Sequence, residues 1–328
     1  MTLETRVSIS EAEQLVKKVF LKNGVREDLA ASVSTALVAA EAEGQVGHGF
    51  SRVKDYIAQV KSKKINVDAI IKIEHPKPTS ISIDADYGFA YPALDQGISE
   101  GALVAKEFGS AVVSIFNSHH CGALSVQVEK IANHGLIGLM MANTPKAIAP
   151  WGGKEPFFGT NPIAFAVPRI AKDPLVIDLS LSKVARGKIM HAKKVNTKIP
   201  EGWALDSSGK PTVDPDQALK GSMLPIGEAK GSALALIVEI LAATFSGSRP
   251  SNEASSFLNP DGEPPGVGQF LMFIDPGKDK GSFLNRLEKL IANIEAIEGV
   301  RLPGERRKND IQKSIDLGLL LPTDFIDH

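Results

Sequence analysis

The sequence predicts an α/β protein with a mixed or largely antiparallel sheet and without a Rossmann nucleotide site. The first 65 residues have a helical pattern, whereas short β-rich runs mixed with helical stretches follow Pro76. The gap between Val167 and Leu175 is too short for a helical crossover, which favours hairpins. No G-x-G-x-x-G sequence leads from a strand into a helix, so the usual dinucleotide fingerprint is absent.

The N-terminal segment is expected to form three amphipathic helices. Ser10 and Glu13 have the spacing of a capping box, and Asn23-Gly24 is a typical helix end. Glycines over 44–49 predict a turn between the second and third helices. The expected helices are Ser10–Phe20, Glu27–Glu43 and one that begins near Ser51.

The rest of the chain alternates between β-rich and helical patterns. Residues 190–229 predict irregular structure, and 246–266 predict a polar surface excursion. An apolar helix over Lys230–Phe245 is expected to be buried, because it is too short and too polar to span a bilayer. The other predicted helices are Tyr91–Glu107, Leu124–His134 and Lys280–Glu298. The predicted strands are Thr79–Ile83, Ala111–Phe116, Ile137–Ala142, Ile163–Val167, Leu175–Leu179 and Gly268–Ile274.

The composition narrows the class of protein. Of 328 residues, 37 are Lys or Arg and 38 are Asp or Glu, so no basic field for nucleic acid is expected. Cys121 is the single cysteine, which excludes an intramolecular disulfide and suits a reducing compartment. The first residues lack the pattern of a signal peptide. We therefore expect a cytoplasmic protein that binds neither nucleic acid nor membrane.

A histidine between two glycines, His48, is the first candidate for chemistry. Arg52 follows four residues later and can lie on the same side of a helix that begins at Ser51. An arginine can hold a carboxylate in a bidentate contact, and a histidine can protonate a carbonyl oxygen. The pair suits an oxo acid. The alternative is a solvated helix start with an incidental histidine.

A second polar cluster, Asn117–Gly122, follows a predicted strand and contains His119, His120 and Cys121. Adjacent histidines point in different directions, so at most one of them is expected to reach a given ligand. A zinc site is a rival interpretation, but neither H-E-x-x-H nor paired C-x-x-C spacing is present. A hydrolase is another, but the sequence has no G-x-S-x-G elbow. No metal is expected.

Four further segments carry weaker signals. Phe158–Pro162 and Asp178–Ser180 lie at strand ends. Lys230 lies at a helix start, where the helix dipole disfavours a cation unless an anion binds there. Leu302–Lys308 is basic. Each segment alone is equally open to interpretation as a turn or a solvated surface.

Taken in order, these segments resemble blocks of the type-2 malate/L-lactate dehydrogenase family. The matching stretches are HGFSR, NSHHCG, FGTNPIAFAVP, VIDLSLS with the following ARGK, AKGSAL and LPGERR. Together they cover nearly the whole chain. The family includes sulfolactate and ureidoglycolate dehydrogenases, diketogulonate reductase and reductases of cyclic imino acids.

The resemblance implies a homodimer with a sulfolactate dehydrogenase-like, non-Rossmann α/β fold. A helical domain is built from residues 1–75 and 280–328. The central domain, 76–279, contains a mainly antiparallel seven-stranded sheet, includes the helix over 230–246 and binds NAD or NADP.

The resemblance also implies roles for individual residues. His48 is the expected proton donor, and His120 competes with it for the proton-transfer role. Arg52 and Thr160 are expected to bind the substrate. The expected cofactor contacts are His120, Cys121, Gly122, Ala123, Leu124, Asp178, Leu179, Ser180, Ala229, Lys230, Leu302, Pro303, Gly304, Glu305, Arg306, Arg307 and Lys308.

The sequence differs from the imino-acid reductases of the family at two places that bear on the choice of substrate. Imino-acid reductases of the family have a serine where this chain has Gly47, and an acid in the segment where it has Arg186-Gly187-Lys188. Both losses weaken a relay that protonates an imine. We therefore expect reduction of a small 2-oxo acid of the malate, lactate or sulfolactate type. The alternatives are a reductase of pyrroline- or piperideine-2-carboxylate and a binding protein that has lost its chemistry.

Overall fold

The computed structural model describes residues 4–277 and 279–322. The outermost residues of the expected helical domain, 1–3 and 323–328, lie outside this part, as does residue 278 of the expected central domain. The helices are α1 (Ile9–Lys22), α2 (Glu27–Ala42), α3 (Ser51–Lys61), α4 (Ala90–Phe108), α5 (Leu124–Asn133), α6 (Arg186–Lys194), α7 (Pro215–Lys220), α8 (Ala229–Glu239), α9 (Lys280–Glu295) and α10 (Glu305–Leu317). A π-helical turn, Ile240–Thr244, continues α8.

The strands form three sheets. β1 (Glu4–Val7) pairs with β12 (Leu319–Pro322), and three two-residue strands form a small second sheet. These short strands are β8 (Ala204–Leu205), β9 (Pro211–Thr212) and β10 (Ser222–Met223). The seven remaining strands are β2 (Lys72–Lys77), β3 (Ser80–Asp84), β4 (Ser110–Ser118), β5 (Ile137–Ala142), β6 (Ile163–Val167), β7 (Leu175–Leu179) and β11 (Val267–Ile274).

The seven-stranded sheet has the order β2-β3-β4-β11-β5-β6-β7 and is mixed. β3 and β4 run parallel because α4 connects them as a crossover. The other neighbours are antiparallel, and β6 and β7 form the expected hairpin. The α/β prediction is therefore confirmed, and the sheet combines a mainly antiparallel arrangement with one parallel pair.

Helices cover both faces of this sheet. Alternate residues of β11 show the division, since Leu271 and Phe273 pack towards α4 and α5, while Phe270 packs towards α8. This alternation is the period of two expected of a strand whose two faces are both covered. The central sheet thus lies between two apolar layers, and polar side chains at the ends of its strands are free to form a site.

The N-terminal helices share a separate apolar cluster with the last strand. Val16 and Phe20 of α1, Leu37 of α2 and Tyr56 of α3 are fully buried in it, as is Leu321 of β12. The N-terminal helices and β12 therefore meet in one helical layer beside the central sheet.

Several element predictions need correction. The capping box is formed by Ser8 and Glu11, not by Ser10 and Glu13, because the S-x-x-E spacing occurs twice and α1 begins one residue earlier. Residues 190–229 are not wholly irregular, since they contain the end of α6, α7 and the short strands. β2 begins at Lys72, four residues before the expected change of pattern, because it pairs with β3 as a hairpin edge.

The apolar helix over 230–245 is not fully buried, contrary to the prediction. Ala235 and Val238 are buried, whereas Leu234, Ile237 and Ile240 are between 42% and 48% exposed. Apolar residues occur all around this helix, so periodicity alone could not assign one face to the protein's own core. In the described part of the chain, no helix is long and apolar enough to cross a membrane.

Candidate active site

A deep cleft lies where the turn before α3, the end of β4, the end of β7 and the segment before α10 meet. Its volume is about 1910 Å³, larger than the roughly 300–1,000 Å³ of a site for one small ligand. It is lined by most of the predicted site residues, which are His48, Arg52, His120, Cys121, Gly122, Ala123, Leu124, Thr160, Asp178, Leu179, Ser180, Leu302, Pro303, Gly304, Glu305, Arg306 and Arg307.

The turn after α2 places His48 and Arg52 on this wall. Gly44 has a φ of 73° and ends the helix, and the backbone N–H of His48 donates to the carbonyl of Gln45 at 2.7 Å. Arg52 lies in the first turn of α3. Its Nε donates to the carbonyl of Gly47 at 2.7 Å, and its Nη1 lies 3.3 Å from Oδ2 of Asp55. These contacts hold the guanidinium beside the histidine.

The adjacent histidines after β4 point in different directions, as predicted. Nε2 of His120 lies 3.2 Å from Nδ1 of His48, and the two rings are stacked with centroids 5.2 Å apart. Nε2 of His119 instead lies 2.7 Å from Oε1 of Gln59 in the interior. The structure therefore pairs His48 with His120, the two residues expected to compete for proton transfer.

The two paired histidines are held in an environment that favours their neutral forms. Burial, and then the nearby charge of Arg52, lower the pKa of His48 to about 4. The same two causes, followed by the other histidines, hold the pKa of His120 well below its ordinary value. Burial and the charge of Arg52 thus favour the neutral form of both rings, and an anionic ligand beside them would raise the pKa of this pair.

An aromatic wall that the sequence analysis missed surrounds His120. The hydroxyl of Tyr56 lies 2.6 Å from Nδ1 of His120, and the ring of Phe257 packs against the imidazole with centroids 5.2 Å apart. Tyr56 comes four residues after Arg52, and Gln59 comes three residues after Tyr56. This i, i+4, i+7 spacing could have indicated one helix face directed at the histidines.

The loop that carries Phe257 is held in place by hydrogen bonds from α3 and from the residues that follow this helix. Nε2 of Gln59 donates to the carbonyl of Phe257 at 2.9 Å. The buried ammonium of Lys64 donates to three loop carbonyls, those of Ser256, Asn259 and Asp261, at 2.8, 3.2 and 2.7 Å. Part of segment 246–266, which was expected to be a surface excursion, therefore forms a wall of the cleft.

Thr160 is positioned by a polar turn between β5 and β6. Its backbone N–H donates to Oγ1 of Thr144 at 2.9 Å, and the two hydroxyls lie 3.3 Å apart. The next residue, Asn161, is fully buried and donates from Nδ2 to Oε2 of Glu239 at 2.9 Å. The turn is therefore anchored to α8, which leaves Thr160 at the cleft surface.

Asp178 joins the end of β7 to the start of α5. Its Oδ2 accepts a hydrogen bond from the backbone N–H of Ser125 at 2.8 Å. Burial raises the pKa of Asp178 to about 6, with the charge of Glu43 acting in the same direction. At neutral pH a carboxyl group with this pKa is mostly ionised and accepts hydrogen bonds, which suits contact with a hydroxyl-bearing ligand.

The basic residues of the segment Leu302–Lys308 differ in whether they face the cleft. Arg307 is committed to an internal ion-pair network, since its guanidinium contacts Glu43 at 2.7 Å and Glu129 at 2.8 Å. Burial alone would lower the pKa of Arg307, but hydrogen bonds and charges from these carboxylates raise it. Lys308 does not line the cleft, and its Nζ contacts the carbonyl of Asp173 at 3.3 Å. Arg306 remains an exposed cation at the cleft.

Ala229 and Lys230 are the other predicted cofactor residues that do not line this cleft. They form the exposed first turn of α8. Across residues 4–277 and 279–322, no group of three or more His, Cys, Asp or Glu residues is arranged to hold a metal ion.

The malate/L-lactate dehydrogenase family model matches residues 7–328. The chain belongs to the malate/L-lactate dehydrogenase family. It is therefore a dehydrogenase, an oxidoreductase that uses NAD or NADP.

Two curated relatives of this dehydrogenase match over nearly the whole chain. It is 46% identical to (2R)-3-sulfolactate dehydrogenase (NADP(+)) from Chromohalobacter salexigens, over 98% of this chain and 96% of that protein. It is 35% identical to a Δ1-pyrroline-2-carboxylate/Δ1-piperideine-2-carboxylate reductase from Pseudomonas putida, over 96% and 93%.

Solved structures agree with this assignment. The Δ1-piperideine-2-carboxylate reductase of Pseudomonas syringae pv. tomato superposes with a TM-score of 0.92 at 34% identity, covering 98% of each chain. The sulfolactate dehydrogenase of Methanocaldococcus jannaschii superposes with a TM-score of 0.88 at 33% identity, covering 95% of this chain and 92% of that one. The sulfolactate dehydrogenase-like fold is thereby established.

The lining of the cleft fits a nicotinamide dinucleotide. Its volume leaves room for a small acid beside an extended cofactor, and Arg301 and Arg306 supply exposed cations for phosphate groups. The backbone after β4 also lies close against the helical layer. Gly122 has a φ of 69°, and a Cβ there would lie 2.7 Å from the hydroxyl of Tyr91.

Proposed function

We propose that this dehydrogenase reduces a small 2-oxo acid with NADH or NADPH and oxidises the corresponding 2-hydroxy acid in reverse. The observation that carries the proposal is the pairing of His48 with His120 beside Arg52 on one wall of the cleft. An acid–base group and a carboxylate-binding cation next to each other are what a 2-oxo acid requires.

Each residue has a distinct part in this proposal. When bound, the reduced nicotinamide supplies the hydride that the carbonyl carbon of the substrate accepts. Arg52 binds the substrate carboxylate, and Thr160 provides a second polar contact. His48 donates a proton to the carbonyl oxygen as negative charge develops there. His120 contacts His48 and does not touch the substrate oxygen.

The substrate itself supplies the charge that makes His48 an acid. In the free protein the pKa of His48 is about 4, partly because Arg52 repels a second positive charge. A bound carboxylate neutralises the effect of Arg52 and adds a negative charge nearby, and both changes raise the pKa of His48. Protonation of the histidine is thereby coupled to binding of the correct ligand.

We favour a substrate with a second acidic group, such as sulfopyruvate. Arg186 is half-buried at the cleft, where burial lowers its pKa, and no carboxylate in the described ranges forms an ion pair with it. A half-buried guanidinium without an internal partner favours an anionic ligand. Lys188 lines the same cleft. The relative that acts on sulfolactate supports this choice.

Reduction of a cyclic imino acid is the second candidate, because several relatives carry that activity in their names. The family resemblance implies that Gly47 and the segment Arg186-Gly187-Lys188 stand where those reductases have a serine and an acid, which weighs against protonation of an imine. A panel of oxaloacetate, pyruvate, sulfopyruvate, 2-oxoglutarate and the two cyclic imino acids, each with NADH and NADPH, separates the candidates. Turnover of the imino acids alone would refute the preferred substrate class.

Substitution of His48 tests the proposed chemistry. His48→Ala is expected to lower kcat by roughly 10²–10⁴-fold while NADPH binding, followed by its fluorescence, persists. His134→Ala removes an exposed histidine and serves as the matched control. A near-normal kcat in His48→Ala would exclude the assignment.

We propose a homodimer formed through the exposed apolar face of α8. Leu234, Ile237 and Ile240 lie on this face, and Ala229 and Lys230 form its first turn. An exposed apolar stripe on one helix is typical of an interface with a second copy. If Ala229 and Lys230 contact the cofactor, as the family resemblance implies, they do so in the cleft of the partner.

We also propose that the chain divides into the helical and central domains expected from the sequence. The apolar cluster shared by α1, α2, α3 and β12 supports this division, although the expected boundary at 75/76 falls inside β2. A cytoplasmic location is likewise proposed. It is supported by Cys121, which is a free and buried thiol.

A further inference from the structure

A row of four side chains leads from the cleft into the helical layer. Nδ1 of His48 lies 3.2 Å from Nε2 of His120, and Nδ1 of His120 lies 2.6 Å from the hydroxyl of Tyr56. That hydroxyl lies 2.9 Å from the hydroxyl of Tyr91. His120 is buried, and Tyr56 and Tyr91 are almost completely so. The row is therefore a hydrogen-bonded chain with one end at the cleft.

The donors and acceptors in such a chain are not independent. Each contact holds one proton, and a neutral imidazole donates from one nitrogen and accepts at the other. The direction of one hydrogen bond therefore fixes the direction of the next. Because both hydroxyls can donate or accept, two orders of the row are possible, and only one of them lets His48 act as an acid.

The acidic form of His48 determines that order. An imidazolium carries a proton on both nitrogens, so Nδ1 of His48 must donate to Nε2 of His120. A neutral His120 then carries its own proton on Nδ1 and donates it to the oxygen of Tyr56. The hydroxyl of Tyr56 donates in turn to the oxygen of Tyr91, and every contact pairs a donor with an acceptor.

We propose that Tyr56 is a positioning residue that acts through His120 to keep Nδ1 of His48 protonated. Nε2 of His48, on the opposite side of that ring, then gives up the proton during reduction and takes it back during oxidation. Tyr91 supports this arrangement by accepting from Tyr56. The inference rests on the proposed function, since it takes His48 as the acid.

The environment of the chain supports positioning over proton conduction. Burial raises the pKa of both Tyr56 and Tyr91 far above neutrality, so neither phenol gives up its proton. Burial, followed by the charges of Arg52 and His48, lowers the pKa of His120 and disfavours its cationic form. The proton that is transferred to or from the substrate is the one on Nε2 of His48. The other protons of the row stay on the atoms that carry them.

Histidine tautomers measured by ¹⁵N NMR test this proposal directly. In the unmodified protein, His120 is expected to carry its proton on Nδ1, with its signals assigned from His120→Gln. Tyr56→Phe removes the acceptor while keeping the ring, so the proton should move to Nε2. Tyr87→Phe is the matched control: it removes the hydroxyl of the tyrosine outside the row and should leave the tautomer unchanged.

Kinetics supply a second readout. Tyr56→Phe should lower kcat for the 2-oxo acid roughly 10- to 100-fold while KM for NADPH changes less than about twofold. Tyr91→Phe should act in the same direction but less strongly, and it substitutes for Tyr56→Phe should that variant not fold. An unchanged His120 tautomer in the folded variant, with kcat equal to that of Tyr87→Phe, would overturn the proposal.

The tautomer measurement needs no substrate, so the two proposals can fail separately. Absence of turnover with every 2-oxo acid would refute the proposed function, whereas the position of the proton on His120 would still decide the role of Tyr56.

Discussion

Neighbouring residues of the same type have unlike surroundings in this protein, and His119 and His120 show this most clearly. His120 joins His48 and Tyr56, whereas His119 lies in the interior against Gln59, with its Nδ1 buried and without a hydrogen-bond partner. Burial lowers the pKa of His119 to about 3. Only the direction in which each side chain leaves the strand end separates the histidine that contacts His48 from the one that contacts Gln59.

The basic segment before and within α10 divides in a similar way. Of its three consecutive cations, Arg307 is held by two glutamates and Lys308 contacts a backbone carbonyl outside the cleft. We therefore propose Arg306 as the cation of this segment that meets the 2′-phosphate of NADP.

We predict that Arg306→Gln weakens binding of NADPH more than binding of NADH. Loss of one charge-assisted contact should raise KM for NADPH about tenfold and leave KM for NADH nearly unchanged. Lys308→Gln is the matched control and should change neither value. Equal effects of Arg306→Gln on both cofactors, measured by steady-state kinetics, would contradict this role.

The candidate site could be predicted from the sequence in part. His48, Arg52 and Thr160 stand in short segments with unusual chemistry, and the cleft unites them. Tyr56 and Phe257 were missed because an aromatic residue on a helix or in a polar loop is usually core or surface. Their contact with His120 depends on tertiary packing that no local pattern contains.

At the scale of elements, strong periodicity predicted the positions of helices and strands well. β5, β6 and β7 have the predicted limits, and α2 ends one residue earlier than predicted, because long apolar patterns with clear breakers leave little freedom. β2 was missed because it is a largely exposed edge strand that contains Pro76. α10 was missed because its sequence is mostly polar, and Arg307 is its buried residue.

Close packing of α4 on the sheet gives an element-scale prediction. A Cβ at Gly101 would lie 2.6 Å from the ring of Phe273, so Gly101→Ala should destabilise the protein by about 1–3 kcal/mol. Gly281, in α9, has no atom within 4 Å of its added Cβ. Gly281→Ala should therefore be neutral or stabilising by less than about 1 kcal/mol.

Thermal unfolding of the two variants checks this prediction. Gly101→Ala should lower Tm by several degrees, and Gly281→Ala should not lower it. Equal Tm values would show that α4 can move away from the sheet without cost.

At the scale of the whole molecule, the proposed dimer makes each active site depend on two chains. We predict that co-expressed His48→Ala and Lys230→Ala chains recover about a quarter of the unmodified activity, since half of randomly formed dimers contain one intact site. Each variant alone should be strongly impaired.

The chain with both substitutions is the matched control, because it forms no intact site in any pairing. Failure of the mixed dimers to recover activity would show that Lys230 does not serve the cleft of a partner. Sedimentation of the unmodified protein as a monomer would refute the dimer itself.

The pairing of β1 with β12 has a consequence for how the protein is made. Glu4 lies opposite Pro322, so the first described strand emerges from the ribosome long before its partner has been synthesised. The central sheet between them can form from residues already translated, whereas the helical layer must wait for β12. Completion of the helical layer that bears Tyr56 is thus tied to synthesis of β12.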